Sequence, residues 1–249
     1  MKESLLEIKN LSKIYHNEKD ETMAIKDLSF SIEPNEIVAI VGPSGCGKST
    51  LLSILANIEK QSSGEIIFKD QKDIGYMLQS DSLFPWLSIK ENCLLGLKIK
   101  KEKNLESINN VLNLLNKYGL GDFIDKYPNN LSGGMKQRCA LIRTMATNPN
   151  ILLLDEPYSA LDYQTRLALS DDMYRIIKNE KKTAILITHD IAEAICMADR
   201  IIVLTKRPCS IKKIYQINLK NKDTPINNRK DPNFNYYYDM IWRDLDVHI

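Results

Sequence analysis

Apolar residues cluster into short, nearly unbroken runs at 36–42 (EIVAIVG), 151–155 (ILLLD), 183–188 (TAILIT) and 200–205 (RIIVLT). Each run has strand length, and helical patterning lies between them. Such runs belong to strands buried on both faces, so the chain is expected to form a mostly parallel sheet covered by helices. Smaller β-favouring clusters at 5–9, 28–33, 63–69 and 74–79 predict further strands. Behind the first run, Leu51, Leu52, Leu55 and Ile58 recur at helical spacing. From 80 to 147 the period is helical, with Ile108, Val111, Leu112, Leu115 and Tyr118 on one stripe and Asn148-Pro149 as the stop. The polar stretch 218–233, with Pro225 and Pro232, reads as a linker. Phe234, Tyr237, Tyr238, Ile241, Trp242 and Leu245 predict an amphipathic helix after it.

Composition narrows the function classes. A chain of 249 residues has room for one α/β domain with a substantial core. Its net charge of +2 gives no electrostatic footprint for nucleic acid. The apolar runs fall far short of the roughly 20 residues a spanning helix needs, and the start, MKESLLEIKN, lacks a signal-peptide core. The chain is therefore expected on the cytoplasmic side, reaching a membrane only through a partner. The five cysteines are odd in number and lack CxxC spacing, so they are expected to serve as small apolar residues in the reduced state.

Gly42-Pro43-Ser44-Gly45-Cys46-Gly47-Lys48-Ser49 fits GxxxxGK[ST] and sits between a predicted strand and a predicted helix. In that context the glycines let backbone N–H groups turn inward around phosphates, and the helix N-terminus adds positive potential. Lys48 is placed to reach the β- and γ-phosphates, Ser49 to ligate Mg²⁺, and Thr50 to donate to a phosphate oxygen. The acidic doublet Asp155-Glu156 closes another apolar run. Asp155 suits a Mg²⁺ ligand through water, and Glu156 suits a base for the attacking water. No NKxD guanine-reading motif fits, which favours ATP.

The stretch Leu131-Ser132-Gly133-Gly134-Met135-Lys136-Gln137-Arg138 resembles the signature motif of the ABC ATPases. The remaining family elements occur in order: Tyr15, Gln79, Asp155-Glu156-Pro157, Ser159-Ala160-Leu161-Asp162 and Thr188-His189-Asp190. Ser132 is a good helix N-cap, and Gly133 and Gly134 leave N–H groups uncovered behind it, which makes a second anion site without a lysine. The resemblance implies that Ser132, Gly133 and Gly134 bind the γ-phosphate of ATP held on the opposite subunit of a head-to-tail homodimer. It further implies that Tyr15 stacks on adenine, Gln79 ligates Mg²⁺ and water, Asp162 links the subunits, and His189 holds the attacking water. The implied fold is a phosphate-loop NTPase core with an antiparallel β subdomain and an inserted α-helical subdomain. On this reading 1–79 and 148–205 form the catalytic core, 80–147 the helical subdomain, and 206–249 a C-terminal extension of a single ABC ATPase domain.

LFPWLSIKEN (83–92), DEPYSALD (155–162), KRP (206–208) and the aromatic tail resemble the nitrate/sulfonate/taurine importer class. Pro208-Cys209-Ser210 departs from it, since relatives often carry glycine after the proline. That class implies an ATPase bound to permease subunits at the cytoplasmic face of the inner membrane, served indirectly by an extracytoplasmic solute-binding protein. Phe84 and Trp86 are expected to receive the permease, while Leu83 and Leu87 fit either partner contact or core. Two alternatives stay open from sequence: a soluble ABC ATPase such as an iron–sulfur assembly factor, and the motor of an exporter.

Overall fold

In a computed structural model, which describes residues 4–16, 20–69, 73–102, 104–159, 162–220 and 222–245, the apolar runs form one mixed sheet. Its strands are β3 (Ile37–Val41), β5 (Ile74–Met77), β6 (Ile151–Asp155), β7 (Thr183–Ile187), β8 (Arg200–Leu204) and β9 (Ile211–Gln216), in the order β5-β6-β7-β3-β8-β9. All neighbours run parallel except β8 and β9. Successive residues of these strands enter opposite cores. Ala39, Leu154, Leu186 and Val203 face one, and Ile40, Leu153, Ile187 and Ile202 face the other. Burial on both faces is why the runs lack polar alternation.

The second core is closed by α1 (Lys48–Leu55) and by a smaller antiparallel sheet. That sheet holds β1 (Leu6–His16), β2 (Glu21–Ile32) and β4 (Ser63–Phe68), with β1 in the middle. Both β1 and β2 extend well beyond the clusters at 5–9 and 28–33. Register shifts at Ile8/Leu11, Leu11/Lys13 and Lys13/Ile14 break the two-residue alternation that would have revealed the rest.

Between β5 and β6 lie α2 (Ile89–Ile99), α3 (Leu105–Lys117) and α4 (Gly133–Met145), packed on the first core. Val111 and Leu115 of the predicted stripe are buried there, with Ile108, Leu112 and Tyr118 against them. After β6 come α5 (Tyr163–Asn179), α6 (Ile191–Met197), α7 (Pro225–Asn228) and α8 (Phe234–Asp244). All five cysteine side chains are buried thiols. Among the described residues no helix is long and apolar enough to cross a membrane. Ala160, Leu161 and Asn221 lie outside the described residues.

The stretch 218–233 is not a linker. Thr224, Asn228 and Asp231 are buried, and α7 occupies its middle. Asn228 donates to the Cys196 carbonyl at 2.7 Å, and the Ile226 N–H donates to Asp171 Oδ1 at 2.8 Å. Polar side chains here serve as buried hydrogen-bond partners, so polarity did not mean exposure. The chain expected as an extension after 205 also supplies β9, the antiparallel edge strand.

Candidate active site

Parallel strands deliver the site at their carboxyl ends, where open α/β sheets place ligands. β3 leads into Gly42–Thr50, β5 into Gln79, β6 into Asp155 and Glu156, and β7 into His189. A cleft of about 240 Å³ is lined by Ser44, Gly45, Gly47, Lys48, Ser49, Thr50, Glu156 and Arg207. A larger groove of about 700 Å³ runs past Asn110, Asn113, Glu180 and Lys182, yet none of the phosphate-loop residues borders it. The chemistry of the lining, not the size, marks the smaller cleft.

Gly47 precedes α1 with φ 129° and no side-chain cap, so the first N–H groups of the helix keep no internal acceptor. A Cβ at Gly47 would lie 3.0 Å from the Ala24 carbonyl oxygen and 3.2 Å from Cys209 Sγ, which excludes larger residues. Lys48 is buried, and its Nζ donates to the carbonyls of Gly42 at 2.8 Å and Pro43 at 2.9 Å. Gly42 closes against Leu204 and Cys46, and Pro43 accepts from the Cys46 N–H at 3.3 Å. Cys46 turns its thiol into the core, so this position offers a ligand only its backbone. Tyr15 stands next to the loop, its hydroxyl donating to Thr50 Oγ1 at 3.4 Å while Lys13 Nζ lies 4.7 Å from its ring centre.

The acidic end of β6 is ordered around two oxygens. Asp155 Oδ2 accepts from the Tyr76 hydroxyl at 3.1 Å. Burial pushes its pKa up, opposed by the Tyr76 bond, the Lys48 charge and a hydrogen bond from Ser49. Glu156 Oε2 lies 3.1 Å from His189 Nδ1 and 3.4 Å from Gln79 Nε2. Glu156 sits at φ 43°, a left-handed conformation that costs an L-residue about 1–2 kcal/mol. The turn is held by its N–H donating to the Ile187 carbonyl at 2.9 Å.

Ser132 caps α4, with Oγ accepting from the Met135 N–H at 3.4 Å, and Ser132 and Gly133 are exposed. Gly134 approaches α5, where a Cβ would lie 3.8 Å from Thr165 Cγ2. Asp162 caps α5, accepting from the Thr165 N–H at 3.0 Å. Bonds from the Thr165 hydroxyl and N–H hold its carboxyl below the usual range. None of Ser132, Gly133, Gly134 and Asp162 borders the cleft of their own chain.

Sequence reasoning missed three neighbours. Tyr76 holds Asp155, and nothing in a short β-favouring cluster marks that hydroxyl. Arg207 donates to the Gly45 carbonyl at 2.8 Å. Its place just past the end of an apolar strand was a usable signal. Glu193, on α6 behind His189, is buried and accepts from the Thr188 hydroxyl at 3.0 Å. Burial, the largest cause, pushes its pKa up to about 8 from 4.5. The folded state therefore holds that proton more tightly than the unfolded chain, and the associated stability is full below pH 4.5 and lost as pH rises through 8. Glu193→Gln cannot ionise, so its melting temperature relative to wild type should rise from about pH 5 to about pH 9. A difference independent of pH would show that Glu193 does not ionise late.

A family model for ABC transporters matches residues 25–159. YtlC of Bacillus subtilis (strain 168), an uncharacterized ABC transporter ATP-binding protein, is 45% identical over 98% of this chain and 96% of its own. The nitrate import ATP-binding protein NrtD of Synechocystis sp. is 37% identical over 95% of this chain and 93% of its own. The dimeric post-hydrolysis structure of the ATP-binding cassette MJ0796, bound to ADP and Pi, superposes with TM-score 0.71 at 30% identity, covering 86% of this chain and 99% of that one.

Proposed function

The chain belongs to the ABC transporter family as an ATPase, and on that premise we propose that two copies clasp ATP between them and power solute import through membrane permease subunits. The observation that carries the catalytic half is the meeting of Gln79, Glu156 and His189 around one carboxylate oxygen beside the phosphate loop. Glu156 takes the proton of the attacking water, and His189 and Gln79 hold that water in line with the γ-phosphate. Lys48 and the uncapped N–H groups of α1 offset the charge that develops on the transferred group. The complementary anion site of Ser132, Gly133 and Gly134 lies off the cleft of its own chain, which supports its serving the partner's ATP.

The hydroxyl of Ser49, the carboxylate of Asp155 and the amide oxygen of Gln79 are hard oxygen donors of the kind Mg²⁺ selects. The half-buried Asp155, held by Tyr76 and Ser49, fits that use. Bound Mg²⁺ supplies neutralisation of the β- and γ-phosphate oxygens. Tyr15 supplies the adenine platform. Tyr15→Ala should weaken ATP binding by about 1–3 kcal/mol while Phe or Trp is tolerated. Calorimetric titration with a non-hydrolysable ATP analogue decides, and an Ala variant that binds like wild type would assign the base elsewhere.

The importer half rests on the loop before α2. Phe84 is 37% exposed and Trp86 69% exposed, with ring centres 5.3 Å apart, whereas Leu83 is buried. Asn92, fully buried, accepts from the Phe84 N–H at 2.8 Å and donates to the carbonyls of Phe84 and Leu87. A loop held rigid by a buried amide while displaying two aromatics suits a docking surface. The likeness to NrtD points to nitrate or a similar small solute, supplied by an extracytoplasmic binding protein, with the chain peripheral at the cytoplasmic face of the cell membrane. The test is affinity purification of the tagged chain from native membranes. An integral-membrane partner should accompany the wild type and be lost from Phe84→Glu/Trp86→Glu, with nucleotide binding and melting temperature kept. A soluble partner in its place would favour the assembly-factor reading.

A further inference from the structure

His189 lies in the two-residue gap, Thr188-His189, between the end of β7 at Ile187 and the N-cap of α6 at Asp190. One hydroxyl spans that gap. Thr188 Oγ1 accepts from the Asp190 N–H at 3.0 Å and donates to Glu193 Oε2 at 3.0 Å. Glu193 is itself fixed, its N–H donating to Asp190 Oδ1 at 3.1 Å. Only 5% of Glu193 is exposed, and its other oxygen, Oε1, is buried without a hydrogen-bond partner. Burying a carboxyl costs free energy that an apolar residue would not incur. Around it stand Asp190 on its own helix, Arg166 of α5, Arg229 beyond α7, and the buried hydroxyl of Tyr158 after β6. The unpartnered Oε1 suits the neutral acid, with the proton there and the other oxygen left to accept from Thr188.

We propose that Glu193 is a positioning residue for ATP hydrolysis: through Thr188 it fixes the turn that sets His189 against Glu156. This rests on the reading of His189 and Glu156 given above. Removing the anchor leaves every group that touches ATP in place and loosens only the histidine. The loss should therefore fall on turnover and not on ATP affinity.

The experiment measures kcat and KM for MgATP on the full chain, with melting temperature as a check of folding. Glu193→Leu and Thr188→Val are each expected to lower kcat about tenfold with KM within about twofold, and Glu193→Gln, which can accept the same bond, to stay within about twofold of wild type. In a His189→Ala background, Glu193→Leu and Thr188→Val should cost nothing further. If Glu193→Leu fails to fold, Thr188→Val carries the test alone. Near-normal kcat in Thr188→Val, or the same fractional loss with and without His189, would overturn the proposal and leave the site assignment standing. Full activity in His189→Ala would overturn both.

Discussion

Glu156→Gln is expected to bind MgATP, hydrolyse it about a hundredfold or more slowly, and accumulate as a dimer. The side chain keeps its size and its reach to Gln79 and His189, but an amide cannot take a proton from water. In the wild type the dimer is expected to be short-lived, because on the proposed reading hydrolysis removes the γ-phosphate that would bridge the phosphate loop of one copy and Ser132 of the other. Adding Ser132→Arg should abolish the trapped dimer. Ser132 is exposed at the start of α4, so the arginine can fold without disturbing the core while its bulk fills the approach to the γ-phosphate. MgADP should support no dimer in any variant. Size-exclusion chromatography with light scattering reads mass under each nucleotide, and phosphate release reads turnover. Undiminished hydrolysis in Glu156→Gln would remove Glu156 as the base. A dimer that survives Ser132→Arg would remove the signature residues from the shared site.

Lys48→Ala should lose hydrolysis by on the order of a hundredfold or more and weaken ATP binding as well. The ammonium is buried and points back over its own loop, bound to the carbonyls of Gly42 and Pro43. A cation in that position strengthens any phosphate contact, because water is displaced from around it. Its removal leaves behind the carbonyls of buried Gly42 and half-buried Pro43, so a lower melting temperature is expected alongside the lost turnover. Steady-state turnover beside a melting curve separates the two effects. A folded Lys48→Ala protein with near-normal turnover would refute the phosphate-loop assignment.

Legibility in the sequence followed the strength of local constraints. The central strands announce themselves because both faces are buried, leaving no room for polar residues along Ile37–Val41 or Thr183–Ile187 beyond their ends. The phosphate loop announces itself because its backbone turn tolerates only particular residues, as the close approach of Ala24 and Cys209 to Gly47 illustrates. The bulged β1 gave no such alternation. The 218–233 stretch misled because buried amides and carboxyls look like solvent-facing ones when their partners, such as the Cys196 carbonyl, are distant in sequence. Tyr76 and Glu193 belong to the same class. Each is defined by a contact with Asp155 or Thr188 that no spacing rule encodes.

The left-handed backbone at Glu156 has a bearing on how this protein can be engineered. Glycine, and to a lesser degree asparagine, relaxes in that conformation where glutamate is strained. A library sorted on heat resistance alone is thus expected to drift toward glycine at position 156, yielding sturdier chains that no longer turn over ATP. Only sorting that also scores phosphate release would retain the glutamate, so durability and work pull this one position in opposite directions.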